Sequence, residues 1–298
     1  MKYLLPALLC LAFTHPARAA DETVPAAPET TAPAAEVEAA APDVPTIEGV
    51  EFQPGPTRGA LGDQAAVAVP EGYYFTGAAG TQKLMEMMQN PITGNELGFL
   101  GAKDKSWFVV FEYDDTGYVK DDEKDKIDAD ALLESFRKGT ESGNKRRQEQ
   151  GWDTLHVVGW ETPPAYNPTT NNLEWAMRLR TGSGSTVINH NIRLLGREGV
   201  MSAILVADPE ELAEAAVVTR EMLVAGYTFN KGKMYAEFKQ GDKIAEYGLI
   251  GLMTAGAGVV AVKSGLLAKL WKFILIPIVA VGAWIKRLFK RNDLSTSA

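Results

Sequence analysis

Leu173-Glu174-Trp175-Ala176-Met177-Arg178-Leu179-Arg180 decides the fold class. Leu173, Trp175, Met177 and Leu179 alternate with Glu174, Ala176, Arg178 and Arg180, the period-two pattern of a strand with one face on a core. Gly182-Ser183-Gly184-Ser185 follows as a turn, then Thr186 to Leu195 as a second strand. Gly196-Arg197-Glu198-Gly199 leads into a third, Val200 to Val206. Three successive strands on short turns predict an antiparallel meander.

Working outward, Asp208 suits a helix N-cap, Pro209 the first helical position, and Glu210 and Glu211 the positive end of the dipole. Leu212, Ala215, Thr219, Met222 and Leu223 form the inner stripe of that helix, which Gly226 ends. Upstream, Ala66 to Val69 and Tyr73 to Thr76 flank the turn Pro70-Glu71-Gly72, and order is expected from about Ala65. Thr81 is placed to cap a helix carrying Leu84, Met85 and Met88, stopping before Asn90-Pro91. Trp107 to Phe111 reads as a buried strand turned by Asp114 to Gly117, and Asp128 to Lys138 as a helix with Ala131, Leu132 and Phe136 inward. Gly139 to Gln150 reads as a helix end plus loop. The expected class is α+β: a largely antiparallel sheet packed on two or three helices, followed by a C-terminal membrane helix region.

The two ends predict location. Residues 1–20 carry Lys2, the apolar run Leu4 to Phe13 and the small-x-small site Ala17-Arg18-Ala19, the layout of a removable export signal. Residues 21–60 are rich in Ala, Pro, Glu and Thr and read as a disordered linker, leaving 61–243 as a periplasmic domain. Residues 244–291 read as a transmembrane anchor region and 292–298 as a disordered tail. Within the anchor, Gly248, Gly251, Ala255 and Gly258 form a small-residue stripe suited to helix association. Lys286, Arg287, Lys290 and Arg291 form a basic end suited to the cytoplasmic face. A single span over Leu266 to Ile285 keeps those charges inside; a hairpin of two spans leaves them outside.

Charge divides along the same line. Residues 21–243 hold a net charge of -15 and residues 244–298 of +5, against -8 for the whole chain. An acidic domain repels phosphate backbones, which argues against nucleic acid, and the basic end fits anionic lipid headgroups. The expected partners are the bilayer and either an envelope protein or further copies of the chain. The inner membrane is the expected site, because outer-membrane spans are usually barrels.

Chemistry is sparsely signalled. Cys10, the one cysteine, lies in the signal, so the mature domain has no thiol for catalysis, disulfide or metal. His190 shares a strand face with Ile188, Ile192 and Leu194 and reads as a hydrogen-bonded core histidine; with His156 it makes no zinc cluster. The acidic run from Asp121 to Lys126 has Lys126 where a calcium loop requires glycine. Gly139 to Lys145 has the wrong spacing for a phosphate loop, and Ser183 lies between strands rather than at a strand-to-helix elbow. No catalytic residue and no cofactor is expected. The leading reading is a non-enzymatic, membrane-anchored binding or scaffold module. The alternatives are an envelope hydrolase using carboxylates in a groove of Trp107, Trp152, Trp160, Trp175, Tyr113, Tyr118 and Tyr166, or an oligomeric transport component.

Several blocks also carry a resemblance. Phe229, Gly232, Lys233, Tyr235-Ala236, Phe238 and Gly241 to Leu249 look like a family signature, as do Trp107 to Phe111, Leu173 to Ala176 and Leu194 to Val200. They resemble a bacterial family of uncharacterised membrane-anchored proteins, over roughly residues 60 to 290. The resemblance implies anchoring and brings no active site with it. The order of elements is similar to small α/β sandwiches of the PsbP type, which implies fold alone.

Overall fold

The computed structural model describes residues 45, 47–102 and 105–255. In chain order the strands and helices are β1 (Gln53–Pro54), β2 (Thr57–Leu61), β3 (Ala65–Val69), β4 (Tyr73–Gly77), α1 (Ala78–Met87), β5 (Glu96–Ala102), β6 (Phe108–Asp114) and α2 (Ala129–Glu149). They continue with β7 (Leu155–Asn167), β8 (Asn172–Thr181), β9 (Thr186–Leu195), β10 (Val200–Ala207), α3 (Leu212–Glu221), β11 (Thr228–Phe229) and α4 (Leu249–Ala255). Eight strands form one antiparallel sheet in the order β1-β4-β5-β6-β10-β9-β8-β7; β11-β3-β2 form a second. The fold is mixed α+β, and the meander β8-β9-β10 is its centre.

The register explains the layers. Phe111 pairs with Ala203 and Ala203 with Ile192, so the three project to the same face. That face meets the second sheet and α3, enclosing Leu61, Val67, Phe75, Leu100, Leu205 and Met222. Gly59 and Gly98 let the sheets approach, because a Cβ on either would lie 2.6 Å from the Phe75 ring. On the opposite face Leu173, Trp175, Leu195 and Val200 pack with Leu132 and Phe136 of α2 and with Leu249, Leu252 and Met253 of α4. Both faces of the central strands are therefore covered. Ala176, expected to face outward, is 1% exposed because it is small enough to lie beneath the second layer.

Several expectations give way to tertiary contacts. Order begins before Ala65: β2 already occupies Thr57–Leu61, since its backbone pairs with β3 and Leu61 closes the core. Thr81 lies inside α1, which starts after Gly77, and its hydroxyl donates back to the Gly77 carbonyl at 2.9 Å. The segment expected as helix end plus loop continues α2 to Glu149. Asn144 holds it to β7, donating to the Leu155 carbonyl at 2.8 Å and accepting from the Leu155 N–H at 2.9 Å. Asp208 does not cap α3, whose N-cap is Glu211; both carboxylates turn to the Ser106 hydroxyl instead. Glycine at 226 ends the helical run as expected, after a π-turn over Met222–Gly226.

Candidate functional site: the junction with the C-terminal segment

The turn between β9 and β10 organises one end of the sheet. Gly196 N–H donates to the Gly199 carbonyl at 2.9 Å, and a Cβ on Gly199 would lie 2.2 Å from the Asp114 carbonyl, so the turn tolerates only glycine there. This tight fold aims Arg197 and Glu198 at the segment after β11. Arg197 grips Asp242 through Nε to Oδ2 and Nη2 to Oδ1, both at 2.7 Å, while its own N–H donates to the Lys233 carbonyl. Lys233 in turn donates to the Glu198 carboxylate. The Arg197 bonds, joined by the Lys239 N–H, hold the Asp242 carboxyl down at about 2, below the usual carboxylate range.

From Asp242 the chain is fastened along residues 117–119. Tyr118 N–H donates to the Lys243 carbonyl at 2.8 Å, and Ala245 N–H donates to the Tyr118 carbonyl at 2.9 Å. The Tyr118 ring stacks on Tyr235 at 4.4 Å and leans on Phe238 at 4.3 Å. Tyr235 donates its hydroxyl to the Val119 carbonyl at 2.9 Å. The chain then enters α4, whose Ile250 N–H donates to the Glu123 carboxylate at 3.0 Å. Glu123 therefore satisfies one orphan amide at the start of α4 from another part of the chain. Lys120, Asp122, Lys126, Glu246 and Tyr247 surround Glu123 in a cavity of about 330 Å³.

The predicted site residues fall as follows. Gly248 lies against Glu123, where a Cβ would stand 2.5 Å from Oε2; Gly251 lies in α4 beside its own Tyr247. Ala255 ends α4, while Gly258 and the basic set Lys286, Arg287, Lys290 and Arg291 lie outside the described residues. His190 is 7% exposed and bonds Glu174 at 2.7 Å, the hydrogen-bonded core histidine that its strand face predicts. His156 bonds Glu141 at 2.7 Å on the surface. Ser183 donates to Asp153 in the β8–β9 turn. The aromatic residues do not share one groove: Trp107 lies in the core beneath the second sheet and Trp175 in the core beneath α2 and α4. Among the described residues, no group of three or more His, Cys, Asp or Glu is placed to hold a metal, and no helix is long and apolar enough to cross a membrane.

Sequence reasoning missed Glu123, whose acidic run reads as solvated, and missed that Leu249, Leu252 and Met253 are core residues rather than the start of a separate segment. The recoverable signal is the apolar spacing of Leu249, Leu252 and Met253 ahead of the small residues.

Comparison with known proteins adds breadth but no chemistry. A family model described as "Protein of unknown function (DUF2167)" matches residues 53–285. It spans the β9–β10 turn, the Arg197–Asp242 pair and α4 together. No curated protein matches the sequence. Among solved structures, the solution structure of cyanobacterial PsbP (CyanoP) from Synechocystis sp. PCC 6803 is similar at 9% identity. It covers 62% of this chain and 94% of its own, with a TM-score of 0.36, too low to support an argument.

Proposed function

Since the chain belongs to the DUF2167 family of proteins of unknown function, we propose a role from its geometry: a membrane-anchored envelope protein whose acidic domain binds a protein partner. In this reading residues 1–20 direct export, the domain lies in the periplasm of a Gram-negative bacterium, and the apolar stretch after α4 holds it in the inner membrane. The basic residues 286–291 lie on the cytoplasmic side.

One observation carries the reading: α4, the first turns of the apolar C-terminal stretch, is built into the core of the domain. Leu249, Leu252 and Met253 are each no more than 2% exposed. A tether between independent parts needs no such seat, whereas a module that works at a membrane surface gains a fixed orientation from it. Two ion pairs lead up to the seat, Arg197–Asp242 and Lys233–Glu198, and paired groups of this kind suit a holding role better than proton transfer.

The test is mild crosslinking in intact cells, followed by purification of the full chain from detergent and identification of what accompanies it. Recovery of one envelope protein, or of a defined homo-oligomer, supports the binding role. Recovery of the monomer alone defeats it.

A further inference from the structure

Arg193 holds a charge in the sheet with two guanidinium nitrogens unserved. It is 7% exposed on β9, and neither its Nε nor its Nη1 has a hydrogen-bond partner. Its cross-strand neighbour on β10, Ser202, is 0% exposed with an equally unpartnered Oγ. On the β8 side, the Arg193 Cζ lies 5.3 Å over the ring of Trp175, whose indole N–H is also buried and unpartnered. All three project to the face covered by α2 and α4.

The nearest countercharge does not resolve this. Glu112 pairs with Ser202 from β6, one strand further on, yet neither Nε nor Nη1 donates to it. Burial pushes the Glu112 carboxyl upward, toward its neutral form, and the charge of Arg193 only partly opposes that. A buried cation with unsatisfied donors is strongly unfavourable. Four unpartnered polar atoms on three side chains of adjacent strands, all on one face, call for an acceptor there.

We propose that Arg193, Ser202 and Trp175 form a buried binding site for a small carboxylate, closed over by α4. A carboxylate is acceptor-only, offers two oxygens to donors on different strands, and makes strong charge-assisted bonds with a guanidinium. A water molecule can meet the same donors but brings two hydrogens that need acceptors of their own. The roof over Trp175 is Phe136 and Leu132 of α2 with Leu249, Leu252 and Met253 of α4. Of these, α4 is held at its start by Glu123, so part of the roof depends on that one carboxylate. Ligand binding and the seating of α4 are consequently coupled.

The experiment uses the full chain in detergent and a carboxylate-free buffer, titrated with sodium formate or acetate against sodium chloride at matched ionic strength. Thermal unfolding and tryptophan emission are read together. Formate or acetate should raise the Tm saturably, by about 5 °C or more at a hundredfold excess over its Kd, with a change in emission from Trp175. Chloride should produce neither. Ser202→Ala should weaken binding by about tenfold, the loss of one buried hydrogen bond to a charged group. Trp175→Phe, which keeps the ring stacked on Arg193, should weaken it comparably. If Arg193→Lys fails to fold, the wild-type titration and these two variants still decide. An equal response to chloride, a non-saturating response, or unchanged binding in both variants overturns the proposal, as does a formate-soaked crystal structure showing only water at Arg193.

Discussion

Arg197 and Asp242 lie 45 residues apart in sequence and meet through a two-bond fork with both distances at 2.7 Å. That fork ties the β9–β10 turn to the strip leading into α4, so its protonation state bears on whether the C-terminal segment stays seated. Arg197 is the side chain for this task because its planar donors match both carboxylate oxygens; lysine cannot reproduce the pair.

The pH dependence follows in sign. The Asp242 carboxyl lies at about 2 in the folded state against an ordinary 3.8, held down by Arg197. A depressed folded value contributes stability above the ordinary value and loses it as pH falls through the folded one. Thermal unfolding from pH 5 to pH 2 should therefore show falling Tm between about 4 and 2, and Asp242→Asn should lower Tm at pH 7 while flattening that acid limb. A variant with the same acid limb as wild type removes Asp242 from the account.

Asn144 imitates a strand neighbour for the edge of β7, pairing both backbone groups of Leu155 from a position 5% exposed. Asn144→Ala leaves a partly buried N–H and carbonyl of Leu155 unpaired and should cost about 1–3 kcal/mol. Urea unfolding of the purified chain measures this; a loss under 1 kcal/mol, on the order of a single exposed hydrogen bond, contradicts the role.

At α4, Glu123→Ala should remove a capping interaction of about 1 kcal/mol and speed amide exchange at Ile250 before it affects the sheet. Gly248→Ala should act in the same direction, because its new methyl meets the Glu123 carboxylate at 2.5 Å. Exchange mass spectrometry over residues 248–255 reports both. Protection unchanged in both variants means that the seat does not depend on the cap.

Gly251 and Gly258 separate two roles of the small-residue stripe. A side chain at Gly251 presses on Tyr247 within the domain, so Gly251→Leu should lower the thermal stability of the domain itself. Gly258→Leu should instead reduce any detergent-stable oligomer and leave domain unfolding unchanged. Light scattering beside thermal unfolding distinguishes them; an intact oligomer in Gly258→Leu excludes the stripe from association.

The meander was legible because alternation, glycine turns and β-branched residues agreed from Leu173 to Val206. β7 was not, because Pro163-Pro164 interrupts its pattern; the strand persists as an edge, where missing N–H groups do no harm. α2 was cut short for a similar reason, since Gly139 and Gly143 argue locally against helix while Asn144 anchors it through a contact 11 residues away. The junction was half legible. Its blocks stand out in the sequence, but the meeting of Arg197 with Asp242 and of Glu123 with Ile250 (127 residues apart) is set by topology alone. Arg193 gave no signal, because a charge in an apolar run reads as an outward position until both faces are covered.

The seat of α4 has a mechanical meaning. Residue 255 is reached through a helix whose first turn is bound to Glu123 and whose apolar side chains are wedged beside Trp175 and Leu195. The chain therefore departs from a set point with a set heading. A pull or a twist applied beyond that point is delivered to β8 and β9 without slack, as through a stiff coupling.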